Sequence, residues 1–131
     1  MATVKRFEDL EIWIEARRLS LEIITISKNS DLKSDFRLRD QVKSAAGSVM
    51  DNIAEGFERN GNREFIQFLS IAKASAGETR SQIYRIYDNS YIEEKKMQEL
   101  VTEYEKLSIK IHNFINYLNK NEFRGTKFIN K

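Results

Sequence analysis

No proline interrupts this chain of 131 residues, and apolar residues recur along most of it at spacings of three and four. Proline breaks helices because it lacks a backbone donor and clashes with the preceding turn, so its absence leaves long helices unopposed. Only five glycines are present, too few to turn a chain of many short strands. The expected class is all-α. The length and the 40% hydrophobic content suit one domain built around a single core.

Four segments carry the helical period. The first is expected from about Phe7 to Asn29, with two apolar stripes. Ile12, Ala16, Leu19, Ile23 and Ile26 form one; Phe7, Leu10, Trp13, Ile14, Leu21 and Ile24 form the other. At about 100° per residue the stripes lie on opposite flanks, separated by a charged strip of Glu11, Glu15, Arg18 and Glu22. A helix in a monomeric bundle needs one apolar face. The second flank is then either a scatter of exposed apolar residues beside a wide core stripe or, the reading favoured by the large aromatic Trp13, an oligomer interface of Leu10, Trp13, Ile14, Leu21 and Ile24.

The second segment starts near Asp35, whose side chain suits an N-cap, and carries Leu38, Val42, Ala45, Val49, Ile53 and Phe57 to about Arg59. The run Asn60-Gly61-Asn62 predicts a tight turn. The third segment continues with Phe65, Leu69, Ala72, Ala76, Ile83 and Ile86 to about Asn89 or Ser90. The fourth, from about Glu93 to Lys120, alternates threes and fours through Met97, Leu100, Tyr104, Leu107, Ile111, Phe114 and Leu118. Long helices with short connections close most simply as an antiparallel up-down-up-down four-helix bundle. The expected division is residues 1–121 as bundle and residues 122–131 as a basic tail.

A hairpin centred on Gly61 sets Ser44-Ala45-Ala46-Gly47-Ser48 opposite Ala74-Ser75-Ala76-Gly77-Glu78. Two uses are open to these small residues: a narrow waist where the helices approach closely, or a recess for large side chains. In the first case leucine at Ala46 or Gly47 overpacks the hairpin.

Charge and chemistry restrict function. The tail contributes Arg124, Lys127 and Lys131 against Glu122, which leaves residues 1–120 electrically balanced. Nucleic-acid binding draws much of its strength from neutralised phosphates, so the candidate basic residues are Arg59 and Arg63 beside the turn, with Arg124, Lys127 and Lys131. Phe123 and Phe128 lie among the tail charges, where they suit either stacking on bases or docking on the bundle. There is no cysteine, which removes disulfides, thiolate metal sites and thiol nucleophiles. The one histidine, His112, has Ile109 three residues before it in place of the glutamate that a di-iron bundle requires. No phosphate-binding loop or nucleophile elbow occurs. No catalytic, cofactor or metal residue is assigned, and the expectation is a non-enzymatic protein. The start MATVKRFEDL has no signal-peptide core, and no run reaches the roughly 20 apolar residues of a membrane span. A cytoplasmic location is expected.

Specific motifs narrow this further. Phe7-Glu8-Asp9-Leu10 precedes Trp13 and Ala16; Phe36, Leu38, Gln41, Ala45, Ala46 and Ser48 follow. Next comes Asn52-Ile53-Ala54-Glu55-Gly56, followed by Arg59, Glu64, Phe65, Phe68 and Leu69. In this order they resemble the four-helix-bundle proteins encoded in 23S rRNA intervening sequences and their chromosomal relatives. The likeness runs from Phe7 to about Ile92 and continues only as pattern through the fourth segment. It implies a ring, typically a homopentamer, with no established catalytic activity. Relatives include accessory proteins of diversity-generating retroelements, basic rings that bind nucleic acid and a reverse transcriptase, so RNA, DNA and such a protein are the partners implied here. This chain departs in its neutral body and in Ala74-Ser75-Ala76-Gly77-Glu78, where relatives more often have a Gly-Ser-Leu-x-Glu type of segment. Asn52, Glu55 and Arg59, with Gln41 and Ser48, line the more polar side of the second segment. They suit either a partner surface or a hydrogen-bond network between helices or subunits.

Overall fold

The computed structural model describes residues 4–121 and contains four helices, α1 (Glu11–Asn29), α2 (Phe36–Glu58), α3 (Asn62–Asp88) and α4 (Glu94–Lys120), with no strand among the described residues. Successive helices pack side by side in antiparallel order, and α4 returns to α1, as expected for an up-down-up-down bundle.

The first helix begins later than its periodicity implies. Phe7–Asp9 is a 3-10 turn, and Leu10 is extended at φ −75° and ψ 128° before α1 starts at Glu11. The Leu10 carbonyl still accepts the Trp13 and Ile14 amides at 3.1 and 3.0 Å. Breaking the helix here turns Leu10 inward, where it is fully buried, and brings Phe7 edge-on to Trp13 with 5.2 Å between ring centroids. Burial of Leu10 outweighs one further turn of helix.

The other ends follow local chemistry. Asp35 caps α2 by accepting the Leu38 amide at 3.3 Å, and its second oxygen accepts the Tyr91 hydroxyl at 2.8 Å, tying the start of α2 to the α3–α4 connection. Gly61, at φ +121°, makes the turn into α3 in a region of backbone space that favours glycine. At the far end of α3 the Tyr91 amide reaches Ile86 O at 3.1 Å and the Ser90 amide reaches Tyr87 O at 2.8 Å. That paired closure is a Schellman motif, here with serine at φ +64° in the position glycine usually holds.

The inner stripe of α1, from Ile12 to Ile26, is buried throughout, as are Leu38, Val42, Val49 and Ile53 of α2 and the whole Met97-to-Leu118 seam of α4. Phe57, Phe65 and Phe114 form an edge-to-face run across α2, α3 and α4, with centroids 6.0 and 5.5 Å apart, and seal the core beneath the α2–α3 turn.

The α2–α3 register matches the hairpin reading, because Ser48 Oγ meets Ser75 Oγ at 2.9 Å. The waist is different. A Cβ added at Gly47 or Gly77 meets nothing within 4 Å, so these glycines face open space and no close approach occurs there within the subunit. The tight contact lies lower, where a Cβ on Gly56 stands 2.6 Å from Phe68 Cβ. Ala45, Ala46 and Ala76 are buried. Tyr104 is the bulkiest of the fully buried side chains, and Ala16, Ala46 and Thr79 are fully buried as well.

Candidate functional site

Three features stand out: one end of the bundle, the α2–α3 seam and the outer face of α1.

The α2–α3 turn, the start of the chain and the end of α4 meet at one end. Asn62 Nδ2 donates to Leu118 O at 2.9 Å and also to Asn121 O, satisfying carbonyls that the end of α4 leaves free. The last described residue therefore lies beside the turn that carries Arg59 and Arg63. Arg124, Lys127 and Lys131, with Phe123 and Phe128, lie outside the described residues. Arg59 is engaged within its own subunit: it pairs with Glu55 at 2.9 Å and lies 5.0 Å over the Phe68 ring. Arg63 is exposed. Lys5 and Lys120 are exposed at the same end, whereas Arg6 is shared between Glu8 and Asp9 at 3.6 and 3.8 Å.

The motif Asn52-Ile53-Ala54-Glu55-Gly56 divides by helical position. Ile53 is core, and Gly56 is the close-packing point under Phe68. Asn52 Nδ2 donates to both Ser48 O and Ser48 Oγ, at 2.8 and 2.9 Å, and the Ser48–Ser75 contact carries the network across to α3. Further along, Arg85 donates to Gln41 at 3.3 Å. The polar side of α2 is therefore, in large part, the α2–α3 hydrogen-bond seam.

The two apolar stripes of α1 receive different fates. Trp13 and Ile24 are half-buried, while Ile14 and Leu21 are 48% and 54% exposed; at about 100° per residue all four share the outward arc. Leu10 leaves this set because it is core. The charged strip faces α4 and is spent there, with Glu11–Lys110 at 2.6 Å, Arg18–Glu103 at 3.2 Å and Glu22–Lys96 at 2.7 Å forming a ladder between the helices. The hydrogen bond from Arg18 holds the Glu15 carboxyl below the usual carboxylate range, and Glu11 raises Lys110 above its own.

Among the described residues no cluster of histidine and carboxylates could hold a metal, and no helix is long and apolar enough to cross a membrane. His112 is exposed, with Nε2 3.2 Å from the Asn116 amide. Sequence pattern does not single out Asn62 or Tyr104: the first reads as a turn residue, and the second as one more seam position.

Residues 8–113 match the model of the family described as 23S rRNA-intervening sequence protein. No curated protein matches the chain. A solved structure from Bacteroides thetaiotaomicron, described as a protein with unknown function from the S23 ribosomal protein family, is similar at a TM-score of 0.73 and 18% identity. The likeness covers 80% of this chain and 95% of that one, and at this identity it speaks for the fold. With motifs, bundle and family model in agreement, the chain belongs to the 23S rRNA-intervening sequence protein family.

Proposed function

We propose that this chain is a non-enzymatic, homo-oligomeric accessory protein, most simply a pentameric ring, that holds RNA or DNA on its repeated bundle ends. The observation that carries the reading is the clip from Asn62 to the end of α4. It sets Asn121, the last described residue, beside the turn that carries Arg63, and Lys5 and Lys120 are exposed at the same end; the basic residues Arg124, Lys127 and Lys131 follow Asn121 in the sequence. One such end is a weak electrostatic site. Repeated around a ring it becomes multivalent, and affinity rises without any new kind of contact.

Binding should be measured for the full chain and for a chain lacking residues 124–131, on generic RNA and DNA at several salt concentrations. Each contacted phosphate contributes about −0.9 to the salt slope on duplex DNA and about −0.7 on a single strand. Truncation should lower both affinity and slope while leaving assembly intact. Absence of binding by the full chain at low salt overturns the nucleic-acid reading.

A second reading, an oligomeric protein-interaction scaffold, is favoured by one observation: Arg59 is already satisfied by Glu55 and Phe68. A reverse transcriptase is the sort of protein partner that the likeness to retroelement accessory proteins suggests. A specific protein that stays bound after nuclease treatment supports this reading; loss of every partner on nuclease treatment supports the first.

A further inference from the structure

The outer face of α1 and the groove between α2 and α3 are complementary. On α1 the outward arc holds Ile14 and Leu21, flanked by Trp13 and Ile24, and its charges are cationic, Arg17 and Lys28. The acids of this helix, Glu11, Glu15 and Glu22, are turned toward α4 and ion-paired. Arg17 lies 5.8 Å over the Trp13 ring, and no carboxylate is recorded within pairing distance of it or of Lys28 among the described residues.

The groove is an open recess of about 400 Å³ whose walls carry Asp40, Gln41 and Glu78 over a floor of Ala45, Ser44 and Ser48. In the groove, Asp40 is paired with Arg39 at 2.9 Å and Arg85 donates to Gln41 at 3.3 Å, which leaves Glu78 as the acid facing an incoming cation. Gln82 gives an amide hydrogen to the groove carboxylate Glu78 at 3.2 Å, and Glu78 is the group with which an incoming guanidinium can pair. Ile71, 49% exposed on α3, offers an apolar contact near the same seam.

We propose that the outer face of α1 in one copy of this chain docks into the α2–α3 groove of the next, with Arg17 directed at Glu78 and with Leu21 covering the small-residue floor. The two patches are unlike, so the contact is head-to-tail and stops propagating only when a ring closes. This rests on the homo-oligomer reading above and assigns its surfaces. It also gives the open space over the groove an occupant.

Charge exchange tests it. Arg17→Glu and Glu78→Arg lie at exposed positions, and each should weaken assembly at least about tenfold, measured by sedimentation against protein concentration, with helix content unchanged. The double exchange should restore it. Oligomers indifferent to both single exchanges, or single defects that the double exchange fails to repair, overturn the docking mode and leave homo-oligomerisation standing. A monomeric wild-type chain overturns both. Because the chain has no cysteine, a second measurement is clean: Leu21→Cys and Glu78→Cys chains, mixed and treated with a short bismaleimide, should cross-link to each other. Cross-linking within the Leu21→Cys pool alone signals a two-fold α1–α1 contact and overturns the proposal.

Discussion

Gly56 lies directly beneath Phe68: a Cβ built on the glycine stands 2.6 Å from Phe68 Cβ and 3.0 Å from Phe65 Cδ1. The missing side chain of Gly56 therefore lets α2 and α3 pack tightly near the turn. Phe68 in turn supports the Arg59 guanidinium. Gly56→Ala should cost about 1 to 3 kcal/mol from overpacking, reduced by the helix propensity that alanine gains. Gly47→Ala, where an added Cβ meets nothing, should be neutral or stabilising by up to about 1 kcal/mol. Chemical unfolding at one fixed protein concentration compares the two, since assembly shifts apparent stability. Equal effects would mean that Gly56 is not the packing point.

Tyr104 combines full burial with a hydroxyl that has no hydrogen-bond partner, and burial drives its phenol well above the usual range near 10.0. Below pH 10 the phenol is neutral in folded and unfolded chains alike, and its contribution is fully present. Above pH 10 the unfolded chain releases the proton first, so stability falls by about 1.4 kcal/mol per pH unit from this group. Tyr104→Phe should therefore be neutral or stabilising at pH 7 and should lose stability less steeply between pH 10 and 12. Tyr104→Ala should cost about 3 to 5 kcal/mol, because it empties the space of a fully buried aromatic side chain. Parallel alkaline slopes for wild type and Tyr104→Phe would place the ionising group elsewhere.

Ser90 closes α3 at φ +64°, a left-handed conformation that penalises a side chain. Ser90→Gly should stabilise the chain by about 0.5 to 1 kcal/mol, once the greater freedom of glycine in the unfolded state is included. That is a gain of roughly 2 to 5 °C in Tm for a domain of this size. No gain, or a loss, would show that the serine hydroxyl supports the turn.

Periodicity made most of this architecture readable. The inner stripe of α1 and the α4 seam are core because a spacing of three and four can bury only one side of a helix, and Asp35 caps α2 because its chemistry allows little else before an apolar run. The start of α1 was not readable, since Phe7 to Leu10 fits the same period and only the burial of Leu10 decides against it. Gly47 and Gly77 looked like packing positions because small residues cluster around them; which way each points depends on the rotation of both helices, and Gly56 alone points inward. Of the candidate interface, Trp13, Ile14, Leu21 and Ile24 share one outward arc. Arg59 turned out to be occupied by residues four and nine positions away, Glu55 and Phe68, a pairing that helical spacing hints at but does not require.

Asn62 joins the turn to the last turn of α4 through two donated hydrogen bonds, while its own Oδ1 is buried without a partner. Helix ends leave carbonyls unsatisfied, and a side-chain donor from another element substitutes for the missing next turn. Asn62→Ala removes both donors. At about 0.5 to 1.5 kcal/mol for each bond the loss should total about 1 to 3 kcal/mol. The effect should also be local, because the Phe57, Phe65 and Phe114 cluster below remains packed. Amide exchange should accelerate across residues 115–121 and stay unchanged in α1. Uniform acceleration of exchange throughout the chain would show instead that Asn62 supports the whole bundle and not the end of α4.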